Sequence, residues 1–451
     1  MTNSLVKLTQ ESDYQGRYQR TIEFHEQRLR IAIERGDHAG EAACLNNLGM
    51  AYHSLGQYKE AIDYYGHSLE IERQLSASES GCDREHRSRA SRVWGNLGNV
   101  YHSLGEYQKA IKFYQQSLAI KRELDDVGGL VTCLNHLGKA CCCLGQYQQA
   151  IDYYEQLLAM ERELGDARGQ AKSLIDLGKA CCCLGQHQQA IAFYQESLVI
   201  AREIGDPGVE ATSFSNLGKA YCTLGQYQQA IECYQQSLVI AREIGDPRVE
   251  ATSLSNLGKA YCCLGQYQRA IECYQQSLAA KREFGDARGI IACLNHLAKA
   301  YCCLEQYQQA IDCYEQSLLM AREIGDPRGQ ATSFSNLGNA YHYLGQYPKA
   351  IEYHQQSLAI KQEFGDRAGT AVSLNKLGKA CCSVGEYERA IDYYRSSLEI
   401  AREIGERSGE AYSLSGLSNA YYCLGQCQRA IEYHQQSLLI VRELRECLVL
   451  Q

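Results

Sequence analysis

The sequence predicts an all-α fold, a solenoid of about eleven stacked helix-turn-helix repeats. Three observations predict it: a forty-residue period, two helical apolar stripes in each period, and a glycine wherever a stripe stops. Leu-Gly recurs at Leu97, Leu137, Leu177, Leu217, Leu257, Leu337 and Leu377, and Leu297-Ala298 and Leu417-Ser418 fill the missing beats. A fixed period of this length marks a repeat array, in which one short segment cannot bury its apolar face alone and stacks on its neighbours.

The whole chain, 1–451, divides accordingly into one solenoid. Residues 1–41 form a degenerate first repeat, 42–81 a second, 82–90 an insertion, and 91–450 nine repeats of forty. Repeats 211–250 and 251–290 agree at 30 of 40 positions, so neighbouring repeats present similar surfaces.

The helices follow in order within a repeat. In 251–290, Leu254, Leu257, Gly258, Tyr261 and Leu264 lie on one face of a first helix. Gly265 ends it. Tyr267, Ala270, Ile271, Tyr274 and Leu278 give the face of a second helix, which ends at Gly285 because glycine takes the left-handed conformation without penalty. Asp286 then caps the next first helix. In Asp206-Pro207, Asp246-Pro247 and Asp326-Pro327 the proline sits at the first helical position, where its missing N–H costs nothing. An invariant alanine, from Ala61 and Ala110 to Ala430, and the small residue of Leu-Gly allow the two helices to cross closely.

Composition narrows the function. A net charge of −8 argues against a nucleic-acid partner. No window is expected to match the roughly 18 apolar residues of a membrane span, and no signal-peptide pattern opens the chain. The 23 cysteines in so long a chain indicate reduced thiols and a cytoplasmic setting. Runs such as Cys141-Cys142-Cys143 fan apart by about 100° per residue on a helix, so they cannot converge on one metal ion. They are expected to be packing residues, with no metal site and no cofactor. No phosphate loop, nucleophile elbow or metalloprotease motif occurs, so no catalytic residue is assigned and the chain is not expected to be an enzyme.

Leu-Gly, a tyrosine three residues on, then Gly-x-Tyr-x-x-Ala-Ile-x-x-Tyr resembles the tetratricopeptide repeat; Trp94, Leu97, Gly98, Tyr101, Ala110 and Tyr114 carry the match. The forty-residue variety is similar to the arrays of the Partner-of-Inscuteable family of G-protein signalling modulators and, more loosely, of kinesin light chain. The modulators' C-terminal G-protein-binding motifs have no counterpart here. The resemblance implies a right-handed superhelix whose first helices line the concave side, with positions two, five, six, nine, twelve and thirteen of each repeat projecting into a groove.

Position nine carries Asn99, Lys139, Lys179, Lys219, Lys259, Lys299, Asn339, Lys379 and Asn419; position six carries Asn47, Asn96, Asn216, Asn256 and Asn336. Packed helices lie roughly 8–10 Å apart, so the lysines would form a positive strip and the asparagines could hold a peptide backbone. Acidic residues gather instead on and after the second helices, as at Glu203, Asp206, Glu243, Asp246, Glu323 and Asp326. The expected activity is a scaffold or adaptor that binds an extended, acidic peptide of a protein partner. Two alternatives are a regulatory or sensor region of an effector carried elsewhere, and a spacer with no ligand. The oligomeric state does not follow from the sequence. Two places break the period: the arginine-rich stretch around 82–90, expected to lengthen two helices or form a loop, and Leu448, Val449 and Leu450 at the end.

Overall fold

The structure, a computed structural model, describes residues 2–78 and 83–449, with side chains at 16, 18–76 and 84–445. Among these residues there are 21 helices and no strand. They fall into two compact halves, residues 1–224 and 225–451.

The N-terminal half opens with α1 (Thr2–Arg35). The pairs α2 (His38–Ser54) and α3 (Tyr58–Ser78), α4 (Asp83–Ser103) and α5 (Tyr107–Glu123), α6 (Val127–Leu144) and α7 (Tyr147–Glu163), and α8 (Ala167–Cys183) and α9 (His187–Glu203) follow, then α10 (Pro207–Thr223). The C-terminal half starts at α11 (Tyr227–Glu243). It continues with α12 (Pro247–Cys263) and α13 (Tyr267–Phe284), α14 (Ala287–Cys303) and α15 (Tyr307–Glu323), and α16 (Pro327–Tyr343) and α17 (Tyr347–Glu363). It closes with α18 (Arg367–Ser383) and α19 (Tyr387–Glu403), and α20 (Arg407–Cys423) and α21 (Cys427–Val449). Within each half every helix packs on its neighbours in sequence, and consecutive first helices such as α8 and α10, or α16 and α18, also touch.

The caps form as the sequence dictates. Asp166 and Asp286 each accept the amide of the glycine three residues on at 2.9 Å, and Glu406 does the same for α20. Gly145 and Gly285 end α6 and α13 with φ of 80° and 71°. Two turns use another residue in the left-handed region, Asp125 at φ 52° and Glu305 at φ 60°.

The small residue of Leu-Gly makes room for an aromatic ring. A Cβ on Gly138 would lie 2.5 Å from the ring of Tyr154, and one on Gly178 would lie 2.4 Å from Tyr194. These tyrosines come from the second helix and are fully buried. Beside them runs a polar seam that the apolar pattern did not announce. Ser117, Ser197, Ser277, Ser357 and Ser397 are all buried, and each hydroxyl donates to the first carbonyl of its own repeat at 2.7–2.9 Å. Several also meet a serine of the following repeat: Ser197 with Ser213, Ser317 with Ser333, and Ser397 with Ser413.

Two expectations change and one open alternative is decided. Thr2–Arg35 is one continuous helix, so the repeat expected over 1–41 contributes a single helix with no turn at Gly16. The insertion over 82–90 adds to both neighbours: α3 and α4 have 21 residues each, against 17 in most others, while 79–82 lie outside the described residues. Finally, α6 is apolar enough over its 18 residues to cross a membrane. It buries Cys133, Leu134, Leu137, Ala140 and Cys141 within the array and exposes Lys139, as one more first helix of the series. The side chains of Leu448, Val449 and Leu450 lie outside the described residues.

Candidate functional site

Position nine faces solvent in most repeats. Lys139, Lys179 and Lys219 in the N-terminal half, and Lys259, Lys299 and Lys379 in the C-terminal half, are all exposed. Each follows a buried Leu-Gly or Leu-Ala by one or two residues on its first helix, so packing of the leucine fixes which way the lysine points. Asn419 is exposed as well, and Asn99 and Asn339 are half-buried. Lys179 has an internal partner, Asp176 Oδ1 at 2.8 Å. The Lys379 ammonium stands over the ring of Tyr343, 5.7 Å from its centre.

Position six differs from expectation. Asn216 and Asn256 are buried, at 7% and 8% exposure, and cannot present an amide to a groove. Asn216 Nδ2 donates instead to Thr212 O at 2.9 Å. Asn96 and Asn336 join first helices to each other, donating to Asn46 Oδ1 at 2.9 Å and to Asn295 Oδ1 at 3.2 Å. Asn99 accepts the hydroxyl of Tyr114 at 2.8 Å, and Asn47 is half-buried. Position five is similarly withdrawn, with Ile175, Ser215, Ser335 and Asn375 buried. Stacking of consecutive first helices covers both positions, a contact between repeats that the stripe of a single helix does not reveal. Positions two and nine of most first helices are exposed, and the asparagines of position six form joints between repeats.

The cysteines also acquire a place. Those at position twelve are half-buried and meet the buried tyrosines: the Tyr194 and Tyr274 hydroxyls donate to Cys182 and Cys262 Sγ at 3.8 and 4.0 Å. Burial pushes the Cys141, Cys142 and Cys181 thiols up to about 11, well away from a thiolate at neutral pH. Cys143, Cys183, Cys263, Cys303 and Cys423 are exposed. Among the described residues no group of three or more His, Cys, Asp and Glu side chains is close enough to hold a metal ion.

A cavity of about 450 Å³ lies between α6, α8 and α10 in the N-terminal half. It brings Lys139 and Lys179 together with Lys172, Arg168, Asp176 and Asp206, over a floor that includes Leu157 and Glu161 of α7. Arg168 is paired with Asp206 at 2.8 Å. Lys139 and Lys172 have no ion-pair partner among the described residues, so the rim carries two uncompensated ammonium groups. Sequence reasoning found Lys139 and Lys179 and missed Glu161, although position thirty-one of the repeat, otherwise alanine, lysine or valine from residue 91 on, changes to a carboxylate there. In the C-terminal half, Lys379 and Asn419 line a cavity of about 790 Å³ with Tyr412, Tyr422 and Ile431.

The geometry can be set beside known proteins. No curated protein sequence matches the chain. Among solved structures, the Signal Transduction ATPase with Numerous Domains protein with a tetratricopeptide repeat sensor from Pyrococcus horikoshii is similar over 84% of this chain and 56% of its own, at 14% identity and a TM-score of 0.60. This chain thus spans little more than half of that protein. The apo quorum sensor NprR from B. thuringiensis is similar over 82% of this chain and 99% of its own, at 17% identity and a TM-score of 0.52. Aspartyl phosphate phosphatase F from Bacillus subtilis is similar over 80% and 94%, at 15% identity and 0.50. At these identities the likeness is one of fold. The family model of the tetratricopeptide repeat matches residues 14–74, 89–163, 135–203, 209–283, 290–363 and 366–443, and the chain belongs to that family.

Proposed function

We propose that this array is a protein-interaction scaffold that holds an extended, acidic segment of a partner against its first helices. Membership of the tetratricopeptide family suggests a protein-interaction or sensor role. The observation that carries the finer reading is a cation that recurs at one exposed position of the first helices. Six lysines recur at one exposed position of the first helices, while Glu203, Glu243 and Glu323 are exposed at the ends of second helices. A cation repeated at that position attracts anionic segments to the first helices. An extended peptide rises about 3.3 Å per residue, so one repeat spans about three residues of ligand.

Two charge-reversal variants test this, one in each half: Lys139, Lys179 and Lys219 to Glu, and Lys259, Lys299 and Lys379 to Glu. A fluorescent polyglutamate peptide is expected to lose at least tenfold in affinity for each variant, with unchanged helicity by circular dichroism. Unaltered binding by both would remove the basic strip from the account.

A second reading is supported by the fold of the Pyrococcus protein, whose repeats are described as a sensor. In that reading the same surface is the input of a larger effector, and ligand binding is relayed rather than simply held.

A further inference from the structure

Near-identical repeats pose a problem for the proposed scaffold. A ligand that slides by one repeat meets almost the same lysines again, so position nine cannot by itself place a segment along the array. Something must break the degeneracy, and Glu161 does.

Position thirty-one is Ala201, Ala241, Ala321 and Ala401 in four other repeats. Glu161 is a carboxylate there, only 5% exposed, on the floor of the cavity between α6, α8 and α10. Ser173 lines the same cavity beside it. Its Oε2 has no partner. The charged groups it senses, Asp166 and Asp176, are both negative and, with burial, push its carboxyl above the usual range. Among the described residues no ion pair holds it: Lys179 is engaged by Asp176 and Arg168 by Asp206. A buried acceptor left without a donor is costly, and here it lies under an opening rimmed by lysines.

We propose that the Glu161 cavity seats one basic side chain of the bound segment, with its ammonium or guanidinium on Glu161 Oε2 after a small rotation of the glutamate, while acidic residues on either side meet Lys139 and Lys172. The floor is acidic and the rim basic, so the matching ligand is an acidic segment interrupted by a single lysine or arginine. That one residue fixes where along the array the segment lies. This rests on the acidic-segment reading above.

The test compares short blocked glutamate peptides with and without one central lysine, by fluorescence anisotropy on the full chain. Plain charge attraction favours the all-glutamate peptide. The proposal requires the reverse, with the lysine peptide at least tenfold tighter on the wild type. It also requires that preference to vanish in Glu161→Ala, a residue the fold already accepts at this position in four repeats, and to shrink in Glu161→Gln. Equal binding of the two peptides, tighter binding of the all-glutamate peptide, or a lysine preference that survives Glu161→Ala would overturn the subsite while leaving the basic strip intact. Failure of the wild type to bind either peptide would overturn the strip and the subsite together.

Discussion

Individual side chains set measurable terms in this array. Glu305 holds a left-handed turn that glycine holds in most other repeats. A side chain in that conformation costs roughly 1–2 kcal/mol, so Glu305→Gly is expected to raise stability by about 1 kcal/mol, read as a higher denaturant midpoint. Three histidines act in the other direction. Burial, with Lys139 adding for His136 and Lys259 for His296, pushes both rings down to about 4. His354, buried beneath Gly338, is pushed down to about 3. A histidine whose folded pKa is depressed binds fewer protons in the native state than in the unfolded chain. Its stabilising share is present above the unfolded value near 6.5 and is lost as pH falls toward 4. At pH 5 the loss is at most about 2 kcal/mol per histidine. Thermal midpoints at pH 7.5 and pH 5 should therefore differ more in the wild type than in a His136→Asn, His296→Asn, His354→Tyr variant. Each replacement is the residue that other repeats carry at that place.

Helices meet through a few repeated contacts, and the tightest is the ring seated on Leu-Gly. The array tolerates a Cβ there, since Ala298 stands at that position and is fully buried. At Gly138 even a Cβ must push the Tyr154 ring aside, so Gly138→Ala is expected to cost about 1 kcal/mol and Gly138→Val about 3 kcal/mol or more, a contrast visible in urea melts. Much of this scale was legible in the letters. The Asp caps, the glycine turns, the alanine crossings and the direction of Lys139 follow from local patterns that one repeat contains within itself. What was not legible depends on two repeats at once. Asn216 and Asn256 sit at the margin of their own apolar stripe, and only a neighbouring helix decides that they are covered. The serine seam looks like surface polarity until its hydroxyls are matched to carbonyls and to serines of the next repeat. Glu161 was hidden by the same repetition that revealed the fold, because attention to the shared pattern passes over a position that varies from repeat to repeat.

The whole chain carries −8, while each half exposes three lysines at position nine of its first helices. Exposed charges are screened beyond the Debye length of about 8 Å at physiological salt. Binding of a polyglutamate peptide should therefore weaken steeply as salt rises, and isothermal titration across a salt series should show the slope flatten in either charge-reversal variant. The joints between repeats have a different consequence. Ser197 meets Ser213 as Ser317 meets Ser333 and Ser397 meets Ser413, and in an earlier repeat Cys133 takes the same role toward Ser117 at 3.4 Å. The connectors are interchangeable parts, so removing one whole period leaves matching ends. A chain lacking 251–290 should still fold and melt cooperatively, whereas loss of half a period should not. Copy number is then free to drift without redesign of any joint, and the reach of the molecule becomes a quantity that recombination can adjust one period at a time.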